Sequence, residues 1–317
     1  LDNPQDPNSR YLRGLAHFEM GDYTQAISDY DEAIKLSAEA WHYYDARARA
    51  ILKTVDGRSA VLDFSKAIAL NPNDVDLYIG RALSSHLQEG KLEAAIQDLD
   101  HAIGLDPKDI DAYVVLGNVY SRLGNAADAI ESYSKAIDLG PQTPSLYLFR
   151  GVAYREFGEV SPALEDLNKA LALGLLSSLA VAQRGITYSQ AGEHVKAIQD
   201  LDKAIRVGFE GTATYIRRGV SNGRFDERES ALRQDALAYL RSGISRIEVG
   251  EHYSAIQDLD QAIRLYTTSL VGDSVGFHSI YVKERLVDAL RSRSTAYSIL
   301  GNTKQALEDI DRAIEFE

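Results

Sequence analysis

Residues 111–141 read DAYVVLGNVYSRLGNAADAIESYSKAIDLGP, and their spacing decides the fold. Ala129 and Ala136 stand seven apart, each followed by isoleucine (Ile130, Ile137), so one apolar stripe runs down one face of a helix. Gly117 lies inside an earlier periodic segment, Gly124 lies between the two segments, and Pro141 follows the second. A small residue at 117 lets two helix backbones approach closely. Gly124 can end the first helix in the left-handed region at low cost, and Pro141 stops the second helix. The predicted element is a helical hairpin whose apolar face must be covered by neighbours.

The same phrase recurs along the chain. Its alanine pairs are Ala26/Ala33, Ala60/Ala67, Ala95/Ala102, Ala129/Ala136, Ala163/Ala170 and Ala197/Ala204, then Ala255/Ala262 and Ala306/Ala313. From Ile34 through Ile68, Ile103, Ile137 and Leu171 to Ile205 the steps are 34, 35, 34, 34 and 34 residues. The small residue ahead of each pair is Gly14, Ala48, Ala82, Gly117, Gly151, Gly185, Gly219, Gly243 or Ser294. Turn glycines fall at 21, 90, 124, 158, 192, 250 and 301.

These triplets, with Tyr113 and Tyr120 at aromatic sites and Pro141 at the unit's end, resemble the tetratricopeptide-repeat family over residues 7–222 and 236–317. The resemblance implies an all-α, right-handed superhelical solenoid of eight to nine hairpins. It also implies a non-catalytic scaffold or adaptor that binds another protein or a peptide segment along its first helices. Two regions are expected: an array over 1–222, and further units over 223–317 after a truncated repeat.

The pattern is broken in three places. The residue before the small one is arginine at 13, 47, 81, 150, 184, 218 and 293, and the second helices carry Asp29, Asp63, Asp98, Asp166, Asp200, Asp258 and Asp309. The fourth unit has Leu116 and Ser132, so both partners are missing together, which predicts a half-buried Arg–Asp pair inside the other units. Between Tyr215 and Tyr239 the repeat is shortened; either residues 229–249 form one long helix or a very short second helix intervenes. An insertion near 270–286, with Gly272 and Gly276, reads as a surface loop, the sharper reading being a loop folded across the groove.

Composition excludes several function classes. Thirty-four Lys and Arg face 47 Asp and Glu, a net charge of −13 that repels phosphate backbones, so no nucleic acid is expected as partner. There is no cysteine, which removes disulfides and thiolate chemistry. No phosphate loop, dinucleotide fingerprint, nucleophile elbow or zinc-helix motif occurs, and the seven histidines have no ligand set at helical spacing. No enzyme activity, cofactor or metal is expected. The longest apolar stretch, Ala170 to Ala182, is too short to span a bilayer, and a soluble, cytoplasmic protein is the expectation. The first residue is Leu1, so a processed or partial chain is expected, even the targeting part of a larger enzyme or regulator.

By the resemblance, the concave face carries Ile79 and Leu83 from the third unit, Val114, Val115, Asn118 and Arg122 from the fourth, and Leu148, Phe149, Val152 and Arg155 from the fifth. Gln183, Ile186, Ile216 and Arg217 continue it. The middle of this set is apolar for a wet surface and suits a docked helix or extended segment, unless neighbouring helices already cover it. At the sites where chaperone-docking relatives place a Lys/Asn/Arg set only Asn118 fits, so that function is not expected. The alternative is self-assembly: Ala313, Ile314 and Phe316 close the last helix without a cap, which invites a homo-oligomer through that end.

Overall fold

The computed structural model describes residues 6–54, 57–86, 91–175, 177–206, 225–272 and 277–316. Among them are sixteen helices and no strand. The chain divides into two compact units, Leu1–Leu146 and Tyr147–Glu317. The first holds α1 (Pro7–Glu19), α2 (Tyr23–Leu36), α3 (Trp41–Leu52), α4 (Gly57–Leu70), α5 (Val75–His86), α6 (Leu92–Leu105), α7 (Ile110–Arg122) and α8 (Ala126–Leu139). The second holds α9, which spans Pro144–Phe157 and so starts just before it, then α10 (Val160–Ala172), α11 (Ser178–Gln190) and α12 (residues 194–206). It continues with α13 (Phe225–Glu248), α14 (His252–Gly272), α15 (Phe277–Ile299) and α16 (Thr303–Phe316). Odd and even helices pair in sequence as hairpins, the all-α repeat arrangement that the alanine spacing predicts.

The small residues do what their spacing requires. A Cβ on Gly117 would lie 2.5 Å from Tyr133 Cε1, so the ring of the second helix occupies the space a side chain would need. Ala129 and Ala136 are fully buried beneath it. At the turn, Gly124 has φ 74°, and two bonds close the helix end: Gly124 N–H to Ser121 O at 3.1 Å and Asn125 N–H to Tyr120 O at 2.9 Å. Tyrosines at the start of three first helices tie the hairpin to the turn before it: Tyr44 Oη donates to Ala38 O, Tyr78 Oη to Pro72 O and Tyr113 Oη to Pro107 O.

The Arg–Asp pairs form. Arg47 Nε and Nη2 reach Asp63 at 2.7 and 2.6 Å, and Arg81–Asp98, Arg150–Asp166, Arg184–Asp200 and Arg293–Asp309 repeat the two-pronged geometry. Arg13–Asp29 is the same pair at the first hairpin. In the fourth hairpin Leu116 is buried and the Ser132 hydroxyl bonds its own helix at Asp128 O, so neither residue needs a partner. In the seventh, Ser242 stands at the arginine site, and Arg246, one turn on, supplies the charge to Asp258 at 2.8 Å.

A second contact lay beyond the sequence reading. The free nitrogen of several of these arginines reaches back to the preceding hairpin, two residues past its aspartate. Arg47 meets Asp31, Arg81 meets Ser65, Arg184 meets Asn168, Arg246 meets Asp202 and Arg293 meets Asp260, at 2.5 to 3.2 Å. The arginines therefore stitch hairpin to hairpin inside each unit as well as closing their own.

Of the two readings of the shortened repeat, the single long helix holds: α13 runs 24 residues. The Arg218 and Gly219 sites lie outside the described residues, as do Gly90, Gly276 and the 222/223 division of the array. The surface-loop reading of 270–286 is corrected. The added length extends α14 to 21 residues and α15 to 23. Tyr266, Val282, Leu286 and Leu290 are buried together in one apolar cluster, which gives this stretch a reason to be helical. The polar Thr267 and Thr268 are accommodated by bonding Ile263 O and Arg264 O one turn back.

Candidate partner-binding face

In the first unit the odd helices touch one another in succession, α1 to α3, α3 to α5 and α5 to α7. Residues that do not face their own second helix therefore share one inner layer. Ile79 and Val115 are buried there, packed with Ala82, Leu99 and Leu116 in the core of α5–α7. Leu83 is 38% exposed, Val114 is half-buried and Arg122 is exposed. Asn118 is half-buried, and its Oδ1 accepts from Tyr133 Oη at 2.8 Å, so its carboxamide is already engaged inside the hairpin. The accessible part of the expected set in this unit is thus Leu83, Val114 and Arg122.

The neighbouring part of the same layer is acidic. Asp45 is paired with Arg49 Nε at 2.8 Å. Burial pushes its carboxyl above the ordinary 3.8; Arg49 pulls it down, and Asp74 and Asp76 on the next hairpin push it up again.

In the second unit Leu148 and Ile186 are buried, at 4% and 2% exposure. Ile186 packs against Ala197, Leu201 and Ala238, so the long helix α13 covers it. Phe149, Val152 and Gln183 are half-buried. Gln183 lines a small pocket with Leu179, Ile205 and Leu237, and its Oε1 has no protein partner among the described residues. Arg155 retains 10% side-chain exposure beside Glu156, 3.4 Å away. Ile216 and Arg217 lie outside the described residues. Two further half-buried arginines of this unit, Arg241 and Arg285, escaped the sequence reading; their helices owe their length to the irregular repeats, so repeat position could not point to them.

A family described as TPR repeat matches residues 84–124 and 117–158, and one described as Tetratricopeptide repeat matches residues 7–39. A tetratricopeptide repeat protein from Parabacteroides merdae has a similar fold, at 14% identity and a TM-score of 0.61, over 90% of this chain and 98% of that one. PilW, a type IV pilus biogenesis factor, is similar at 16% identity and a TM-score of 0.56, over 62% of this chain and 91% of its own. The MamA protein aligns at 25% identity and a TM-score of 0.48, over 52% of this chain and 90% of that one. No curated protein sequence matches. The chain carries tetratricopeptide repeats, the unit of protein-interaction scaffolds that are generally non-catalytic and bind protein or peptide partners. Among the described residues no helix is long and apolar enough to cross a membrane.

Proposed function

We infer that the protein is a non-catalytic adaptor that docks a partner segment against its first helices. The observation that supports this reading is the succession of contacts α1, α3, α5, α7, together with the partial exposure of Leu83 on α5 and Val114 on α7. Partly exposed apolar side chains on such a layer suit an amphipathic helix or an extended segment. In the second unit Phe149 and Val152 are half-buried on the corresponding first helix and are assigned the same role. The test is affinity capture from the source cell, comparing the wild type with a Leu83→Asp, Val114→Asp double variant and a Phe149→Asp variant, all with matched circular dichroism. Capture lost from either folded variant supports the reading and names the partner. Equal capture by all three removes it.

Self-association is the second reading. Leu307 and Ile314 of α16 are 59% and 61% exposed. They occupy the sites where Ile27 and Ile34 of α2 pack against the next hairpin. Light scattering that shows concentration-dependent mass, abolished in Ile314→Asp, would support it; a constant monomer would remove it.

A further inference from the structure

Three arginines of the second unit lie within range of one another's charge and lack the two-pronged aspartate pairing of the others. Arg155 comes from α9, Arg241 from α13 and Arg285 from α15. The Nε of each is buried and has no protein hydrogen-bond partner among the described residues. Arg155, nine-tenths buried, has only the 3.4 Å approach of the Glu156 carboxylate. Arg285 donates Nη1 to Asp288 at 2.9 Å and lies over the Tyr281 ring, 5.1 Å from its centre. Beside them on α14, Tyr266 is fully buried with an unpartnered hydroxyl, and Ser269, one turn on, is 4% exposed with an unpartnered Oγ.

The contrast with the ladder is chemical. Arg47, Arg81, Arg150, Arg184 and Arg293 each hold a carboxylate with two nitrogens, whereas each of these three leaves its Nε without a protein acceptor among the described residues. Burial lowers the proton affinity of Arg155 and Arg241, and the charge of Arg285 lowers both further. A guanidinium nevertheless stays charged in a protein. Among the described residues, Glu156 and Asp288 are the carboxylates paired with these three cations, which leaves one positive charge for a further anion to match where the Nε atoms are buried. A carboxylate matches in charge and in shape, since its two oxygens fit the guanidinium fork. Arg285 and Asp288 also line an open groove of about 600 Å³ with Lys283 and Phe316, which gives solutes an approach to Arg285.

We propose that Arg155, Arg241 and Arg285, with the Tyr266 hydroxyl, form a carboxylate-binding site. It uses none of Leu83, Val114, Phe149 and Val152, so variants at those residues test the adaptor reading independently, although Arg155 shares α9 with Phe149 and Val152.

The probes are sodium acetate, succinate and phosphate against sodium chloride at matched ionic strength, read by thermal unfolding and by the ¹⁵N resonances of the arginine Nε groups. Succinate is expected to raise the Tm saturably and to shift the Arg155, Arg241 and Arg285 signals. Arg241→Met is expected to weaken succinate by about tenfold or more, the worth of a lost charge-assisted bond. Its Tm in chloride should equal or exceed that of the wild type, because it relieves repulsion. If succinate saturates at micromolar levels the natural ligand is a free dicarboxylate. If acetate and succinate saturate alike at millimolar levels, the carboxylate belongs to a larger ligand such as an acidic peptide. A carboxylate effect no greater than chloride, an equal effect in Arg241→Met, or a stronger effect of phosphate would overturn the assignment. The Nε shifts in the wild type decide it even if the variant fails to fold.

Discussion

Arg47 Nη1 lies 2.6 Å from Asp31, so a side chain that closes one hairpin also grips the hairpin before it. The two carboxylates of Arg47 are not equivalent. Asp63 is 9% exposed and Asp31 is 42% exposed, and the Asp63 hydrogen bond is the largest cause holding the Arg47 proton more tightly than usual.

Removing the buried partner strands a half-buried guanidinium. Asp63→Ala is expected to cost about 3–5 kcal/mol, and Asp31→Ala no more than about 1 kcal/mol. Urea unfolding of both variants checks the order. Equal losses would show that the two contacts have the same weight.

At Gly117 two effects oppose each other. Alanine in a helix gains about 1 kcal/mol over glycine. Its Cβ would lie 2.5 Å from the Tyr133 ring, whose hydroxyl is tied to Asn118, so the ring cannot yield freely. Gly117→Ala is therefore expected to lose about 1–3 kcal/mol from overpacking. At Gly151 the nearest atom is Leu167 Cγ at 3.0 Å, and Gly151→Ala should be closer to neutral. Denaturation midpoints of the pair test this; a more stable Gly117→Ala would contradict the close approach.

The extended pair α14–α15 should behave as core. Leu286 is fully buried and Ile280 is 59% exposed on the same helix. Leu286→Ala is expected to cost about 2–5 kcal/mol, and Ile280→Ala to stay within about 0.5 kcal/mol. Thermal unfolding that shows little loss in Leu286→Ala would return this segment to the status of a loop.

Asp45 carries the pH dependence of the inner layer. Its folded pKa is raised above the unfolded 3.8, chiefly by burial, so the native state binds the proton more tightly than the unfolded chain. Its contribution therefore favours folding below 3.8 and is lost as pH rises through the folded value. Asp45→Asn is expected to flatten the Tm profile over that window. An Asp45 carboxyl that titrates by NMR at or below 3.8 would refute it.

How much of this was legible in the sequence depends on the range of the interaction. The Gly117–Tyr133 contact, the Gly124 turn and the Arg47–Asp63 pair all lie within one hairpin, and a fixed offset reveals them. Arg47–Asp31 joins two hairpins, and the offset that links them appears only once the stacking geometry is known. The candidate face was harder still. Val114 and Val115, or Leu148 and Phe149, are adjacent in sequence, yet one of each pair is buried and the other half-buried. A periodicity of 3.6 marks an apolar face without saying what covers it. The insertion misled for a different reason: the polar residues from Thr267 and the glycines Gly272 and Gly276 suggested a loop through 286, while the spacing of Val282, Leu286 and Leu290 already marked a helix.

The backward reach of the arginines has a consequence for how the hairpins can be rearranged. The group received from the predecessor is not the same throughout: an aspartate for Arg47, Arg246 and Arg293, a serine for Arg81 and an asparagine for Arg184. Leu116 offers no donor at all. Placing Arg47 after Ser65 would take away its second charge partner, and setting Leu116 where Arg47 stands would leave Asp31 without its guanidinium. The repeats look interchangeable in their alanines, but these junctions give each hairpin an address, and a shuffled array would carry mismatched seams.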